Sequence, residues 1–173
     1  MRCTDLEQLY AYHYWANRKL LAVVTRLTPA EFTQSVAGSY ESIRNTLVHV
    51  MSAEWGWLDR CGGPPRGERL KAADYPTAET LVATWSRVEG YMRDFLSRLQ
   101  DADVMRPIEF ALGAGPKHSV PLGELLQHGA VHAVHHRGQV ALLLRMLGHA
   151  PGDFDLVLYS MERHGGHVTA ASR

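Results

Sequence analysis

Residues 121–148 read PLGELLQHGAVHAVHHRGQVALLLRMLG, and the way this stretch is wound decides the fold. Leu122, Leu126, Val140, Leu143, Leu144 and Leu147 recur at three- and four-residue spacing, the period of a helix with one buried face. Pro121 suits a first turn and Gly148 a C-terminal stop, so one long helix is expected from Pro121 to Leu147. Its composition is unusual. His128, His132, His135 and His136 interrupt a run of Leu, Ala and Val, and six of the ten histidines of the chain fall between residues 118 and 149.

A helix turns about 100° per residue, so each histidine can be placed against the apolar stripe. His136 falls about 30° from its centre and His132 roughly 70°, whereas His128 and His135 lie beyond about 110°. The two histidines turned toward the core are therefore four residues apart. That spacing stacks two rings on one face, as when a helix presents two nitrogen ligands to one metal ion. A third ligand must come from another helix. His49, in the middle of NTLVHVMSAEW and near the small residues Thr46 and Ala53, is the first candidate, although it sits roughly 100° from its own apolar stripe. His13, Glu54 and Asp59 are the alternatives. Three histidines with a fourth position left open would match a catalytic rather than a structural metal site. Against this stands the reading in which the histidines are core residues satisfied by hydrogen bonds.

Working outward, three further helices precede this one. Leu6, Leu9, Tyr10, Leu20, Leu21, Val24 and Leu27 predict a helix over residues 5–27, stopped by Thr28-Pro29. Ile43, Leu47, Val50, Met51, Trp57 and Leu58 predict another from Ser42 to Arg60, ending at the breaker CGGPPRG. Leu81, Trp85, Val88, Met92, Phe95, Leu96 and Leu99 follow Pro76-Thr77 as the third. Residues 104–120 suit an extended connection or a short irregular hairpin, and a short helical piece is expected around Phe154 to Met161. Four amphipathic helices in one chain predict an all-α four-helix bundle: a single domain over 1–163, with a disordered tail at 164–173.

Composition narrows the function. With 173 residues, 46% hydrophobic and 21% charged, the chain suits one globular domain. Eighteen basic and eighteen acidic side chains cancel, so no nucleic-acid partner is expected. No apolar run approaches the ~18 residues of a membrane span and the first ten residues show no leader pattern, which predicts a soluble, cytoplasmic protein with no membrane partner. Cys3 and Cys61 are too few for a disulfide framework. There is no Gly-x-Ser-x-Gly elbow, and neither cysteine stands where a nucleophile would be activated. Among supporting residues, Gln139 is placed to hydrogen-bond a ligand ring or substrate. Arg137 can hold a substrate carboxylate or, as its position on the wheel suits better, an interhelical ion pair. Glu54, near an apolar stripe, needs a partner: a buried ion pair, or the role of a general base. Asn17 can reach the cavity or cap a backbone group, Tyr10, Tyr14 and Trp15 read as core, and Asp155 as an anchor for the last segment.

The stretch LLQHGAVHAVHHRGQVALLLRMLGHAPGDFD, with YHYWANRKLL near the start and LVHVMSAEWGWL in the second helix, resembles the DinB/YfiT-like superfamily. The resemblance covers nearly the whole chain. It implies an up-down-down-up bundle, often dimeric, that binds one divalent metal (nickel, zinc, iron or manganese) through His49, His132 and His136. It also implies the activities known for some members: thiol S-transfer with bacillithiol, mycothiol or glutathione, and mycothiol-dependent isomerisation. Other members look like stress-response proteins without known activity. The additional His128 and His135 depart from the usual pattern and stand as second-layer or solvent-facing residues. The leading expectation is thus a metal-dependent thiol S-transferase acting on a small molecule, or a hydrolase, against a non-catalytic dimeric module with a structural or vestigial metal.

Overall fold

The computed structural model describes residues 1–36 and 40–165. Four long helices carry the fold: α1 (Cys3–Val24), α3 (Ile43–Arg60), α4 (Ala78–Ser97) and α5 (Leu122–Met146). Two short ones accompany them, α2 (Pro29–Thr33) and α6 (Leu156–Arg163). The mostly helical architecture agrees with the expected fold class, and each long helix lies within a few residues of its predicted span. The tail from residue 166 lies outside the described residues.

Local chemistry sets the ends. The first helix ends at Val24 with its cap at Thr25, three residues short of its expected span, and Thr28-Pro29 starts α2 instead: Glu31 N–H donates to Thr28 Oγ1 (3.3 Å) while Thr28 N–H donates to Glu31 Oε2 (2.8 Å). Ser42 Oγ caps α3 by accepting from Asn45 N–H at 3.0 Å. At the far end of α5, Gly148 adopts φ +83°, and the bonds His149 N–H to Leu144 O and Gly148 N–H to Arg145 O complete a Schellman stop. The connection before α5 is a regular two-stranded hairpin, β1 (Pro107–Ala111) against β2 (Lys117–Pro121) in antiparallel register, with Pro121 as the last strand residue and the cap of α5.

Around the bundle, α5 lies against α1 and α3, and α4 lies against the same two helices. Tyr10 reaches Leu126 and Asn17 reaches Arg137, so α1 and α5 run in the same sense. Their approach is close: a Cβ on Gly129 would stand 3.0 Å from the Tyr10 hydroxyl, which donates to Leu126 O at 2.9 Å.

The core is divided in two. One apolar cluster gathers Leu20, Val24, Phe32, Leu47, Leu81 and Leu144, and the other Leu6, Tyr10, Leu58, Met92, Leu122 and Leu126. Between them lies a buried polar layer of His13, Asn17, Glu54 and Arg137, each no more than 4% exposed. The terminal α6 docks on α1 through Trp15 Nε1 to Glu162 Oε2 (2.7 Å), Lys19 to Glu162 (3.0 Å) and Tyr12 OH to Phe154 O (3.2 Å). Two expectations are corrected here. Trp15 is half-buried and holds α6 rather than filling the core, and the exposed Asp155 makes no side-chain bond among the described residues at the start of α6.

Candidate metal centre

The longest helix and its neighbour α3 bring three imidazoles to one point. His136 is buried, while His49 and His132 are half-buried, so the cluster reaches the surface between the two helices. His132 Nε2 stands 3.1 Å from His49 Nε2 and 3.1 Å from His136 Nε2. Across the three residues the candidate ligand atoms all lie within 4.8 Å of one another. With metal–nitrogen bonds of about 2.0–2.1 Å, two ligands of a tetrahedral ion stand roughly 3.3 Å apart, so the observed spacing fits one ion between them. Three neutral nitrogen donors suit zinc, nickel or iron better than calcium, magnesium or manganese, which prefer oxygen.

Surrounding groups orient the rings. Gln139 Oε1 lies 2.6 Å from His136 Nδ1, and an amide oxygen only accepts, so Nδ1 carries the hydrogen and Nε2 offers its lone pair. The Gln139 amide nitrogen reaches His135 Nε2 at 3.2 Å, which makes His135 the outer support of that contact. Exposed His128 instead sets its ring against Trp57, with centroids 5.1 Å apart. Tyr40 was not foreseen: its ring stacks on His49 at 4.1 Å and its hydroxyl stands 3.1 Å from His49 Nε2. It precedes the α3 cap in a stretch without periodicity, so no pattern in the sequence marks it.

Electrostatics favour rings ready to ligate. Burial holds the His49 imidazole down to about 4, and the charges of His136 and Arg69 push the same way. His132 is likewise brought to about 4, by burial first and then by its histidine neighbours. Burial also lowers His136, against the opposing hydrogen bond from Gln139. All three rings are therefore neutral at neutral pH, with little proton competition for the nitrogen lone pairs.

The sequence model of the DinB family matches residues 1–166, nearly the whole chain. The chain belongs to the DinB family. Protein DinB of Bacillus subtilis (strain 168) is 25% identical over 159 residues, covering 88% of this chain and 92% of that protein. The uncharacterized protein YizA of the same organism is 22% identical over 144 residues, covering 83% and 89%. A crystal structure of a DinB-like protein from Bacillus cereus ATCC 10987 superposes with a TM-score of 0.71 at 24% identity, covering 86% of this chain and 94% of that one, which shows the shared fold.

In this DinB family member the other candidate residues form a separate network. Glu54 accepts from Tyr14 OH (2.5 Å) and Trp85 Nε1 (2.9 Å) and lies 3.2 Å from His13 Nε2. Burial pushes the Glu54 carboxyl up, but His13 and the donors outweigh it and hold it below the ordinary range. Glu54 thus has the buried partner it was expected to need. Arg137 Nη1 donates to Asn17 Oδ1 (2.9 Å) and faces His13 Nδ1 (3.1 Å). Among the described residues Arg137 makes no direct ion pair, which corrects that expectation: a histidine stands between it and the carboxylate. Asn17 bridges His13 and Arg137 instead of capping backbone. His13 and Glu54 are therefore absent from the three-histidine cluster, and so is Asp59, which accepts from Arg66 N–H at 3.2 Å. A cavity of about 230 Å³ opens between α1 and α4, lined by Tyr14, Asn17, Leu21, Trp85 and Glu89 among others, and none of the three histidines reaches it. No described helix is long and apolar enough to cross a membrane.

Proposed function

We propose that this DinB family protein holds one divalent ion through His49, His132 and His136 and acts as a cytoplasmic transferase for a low-molecular-weight thiol, with hydrolysis as the nearest chemical variant. The observation that carries this reading is the convergence of three neutral Nε2 atoms at a partly exposed point between α3 and α5. A bound ion there would lower the pKa of a thiol or water in its remaining position and make a nucleophile near neutral pH. The protein's own contributions are orientation by Gln139, a phenol beside the ligand face from Tyr40, and a half-buried setting that small molecules can enter. The exposure of His49 and His132 supports an exchangeable position over a sealed structural ion.

The test begins with elemental analysis of untagged protein. About one ion per chain is expected, lost in His49→Ala, His132→Ala and His136→Ala alike. Metal-loaded protein is then assayed with bacillithiol, mycothiol or glutathione and an electrophilic acceptor. Metal binding without turnover under any thiol would remove the transferase reading and leave a non-catalytic metal protein.

A homodimer belongs to the same proposal. The outward side of α5 presents Val131, Val134, Leu142 and Met146, each 45% exposed or more, around Gly138, which has open space beside it. An apolar stripe of this kind on a helix is suited to burial against a second copy.

A further inference from the structure

Two of the three histidines differ in what stands behind them. Behind His136, Gln139 supplies an acceptor to Nδ1 at 2.6 Å. Behind His49, Arg69 Nη2 faces Nδ1 at 3.5 Å. A guanidinium has donors only, and a neutral imidazole that ligates through Nε2 carries its hydrogen on Nδ1. The ligating form of His49 therefore aims a donor at a donor, where histidine ligands ordinarily meet a carboxylate or carbonyl.

The backbone on either side of Arg69 is held by the fold, while its side chain is exposed. Arg66 Nη1 donates to Ser52 O (2.6 Å) and Ser52 Oγ (3.2 Å), and Leu70 N–H donates to Ser52 Oγ (3.3 Å). Ser52 lies one turn beyond His49 on α3, so these bonds clamp the α3–α4 loop over the histidine from both sides of Arg69. The nearby carboxylates are engaged elsewhere: Glu68 lies 3.8 Å from Lys71, and Asp59 accepts from Arg66 N–H. Among the described residues Arg69 forms no ion pair.

We infer that the gap between the Arg69 guanidinium and Nδ1 of His49 is a carboxylate subsite, one imidazole ring away from the three-nitrogen face. A carboxylate oxygen accepts from both groups and removes the conflict between them, and a guanidinium pairs with it in a planar, two-bond geometry. This inference rests on the metal reading above and deepens it: the small molecule served by the site is an acid, such as a mercaptocarboxylate whose chain between thiol and carboxylate is long enough to span one imidazole ring.

The experiment measures Co²⁺ affinity of the full chain by chelator competition, in acetate and in chloride at equal ionic strength. Because coupling between two ligands is reciprocal, acetate is expected to tighten Co²⁺ binding by about fivefold or more in the wild type. Arg69→Gln should bind Co²⁺ more tightly than the wild type in chloride and lose the acetate response, while Arg69→Lys keeps part of it. An acetate effect that is absent from the wild type, or unchanged in Arg69→Gln, overturns the subsite while the metal centre stands. Absence of Co²⁺ binding in either buffer overturns both. In a second arm, 4-mercaptobutanoate, long enough to span the ring from the ion to Nδ1, should bind the Co²⁺ form more tightly than 4-mercaptobutan-1-ol by a margin that Arg69→Gln erases; a margin that survives the substitution also overturns the subsite. Failure of both thiols to bind removes the thiol reading alone if the acetate response is present.

Discussion

Gln139 decides which nitrogen of His136 is free. Its carbonyl oxygen holds the hydrogen of Nδ1, so Gln139→Ala should weaken metal binding by about 10–100-fold without removing a ligand, as read by chelator competition. Gln139→Glu should restore most of the affinity, because a carboxylate accepts the same hydrogen. The low values of His49 and His132 also carry a sign for pH dependence. Their native pKa lies near 4 and the unfolded value near 6.5, so between these limits the unfolded chain binds more protons. Stability is thus complete above about pH 6.5 and falls as pH is lowered toward about 4. Urea denaturation of metal-free protein across this range should show the decline, and His49→Ala should make it shallower. At this scale the sequence was partly legible. The i, i+4 pair stood out because helical rotation alone turns His132 and His136 inward and His128 and His135 outward. Tyr40 and Arg69 did not, because they lie in connections where no period assigns a direction. His13 and Glu54 both stood among the alternatives as ligands, but that they face each other, as they do at 3.2 Å, is not visible in the pattern.

Helices with long apolar stripes were readable along almost their whole length, since α1, α3, α4 and α5 each repeat the stripe for several turns. One-turn α2 was not: a five-residue helix has no period, and only its Thr28 and Glu31 box marks it. The hairpin before α5 was half-legible, as an extended stretch whose pairing could not be read. The stop of α5 is a direct target. Gly148 sits at φ +83°, so Gly148→Ala should cost about 1–2 kcal/mol by denaturant titration, with the metal site unaffected. Between elements, the Glu54–His13–Arg137 line joins α3, α1 and α5. Among the described residues Glu54 is the carboxylate whose charge acts on the buried guanidinium through His13, and Glu54→Gln should cost about 1–3 kcal/mol in thermal or urea unfolding. Glu54→Gln combined with Arg137→Met should recover much of that loss, because the uncompensated charge is then absent.

The whole molecule is set by which helices adjoin, and this was the least legible level. Each stripe is apolar in much the same way, so nothing in its spacing states that α1 meets α4 and α5. Association is testable at the same scale. If a second copy covers α5, sedimentation of the wild type should give a dimer, and Val134→Glu with Leu142→Glu should give a monomer that still binds one metal ion per chain. A wild-type monomer at micromolar concentration would remove the dimer from the proposal. The buried polar layer has a further consequence, for alignment. Oily surfaces are non-directional, so sliding α1 along α5 by one turn, about 5.4 Å, would still set Leu against Leu and Val. It would also carry His13 and Asn17 past Arg137 and leave a guanidinium facing hydrocarbon. The layer therefore works as a keyway: it admits α1, α3 and α5 at one setting.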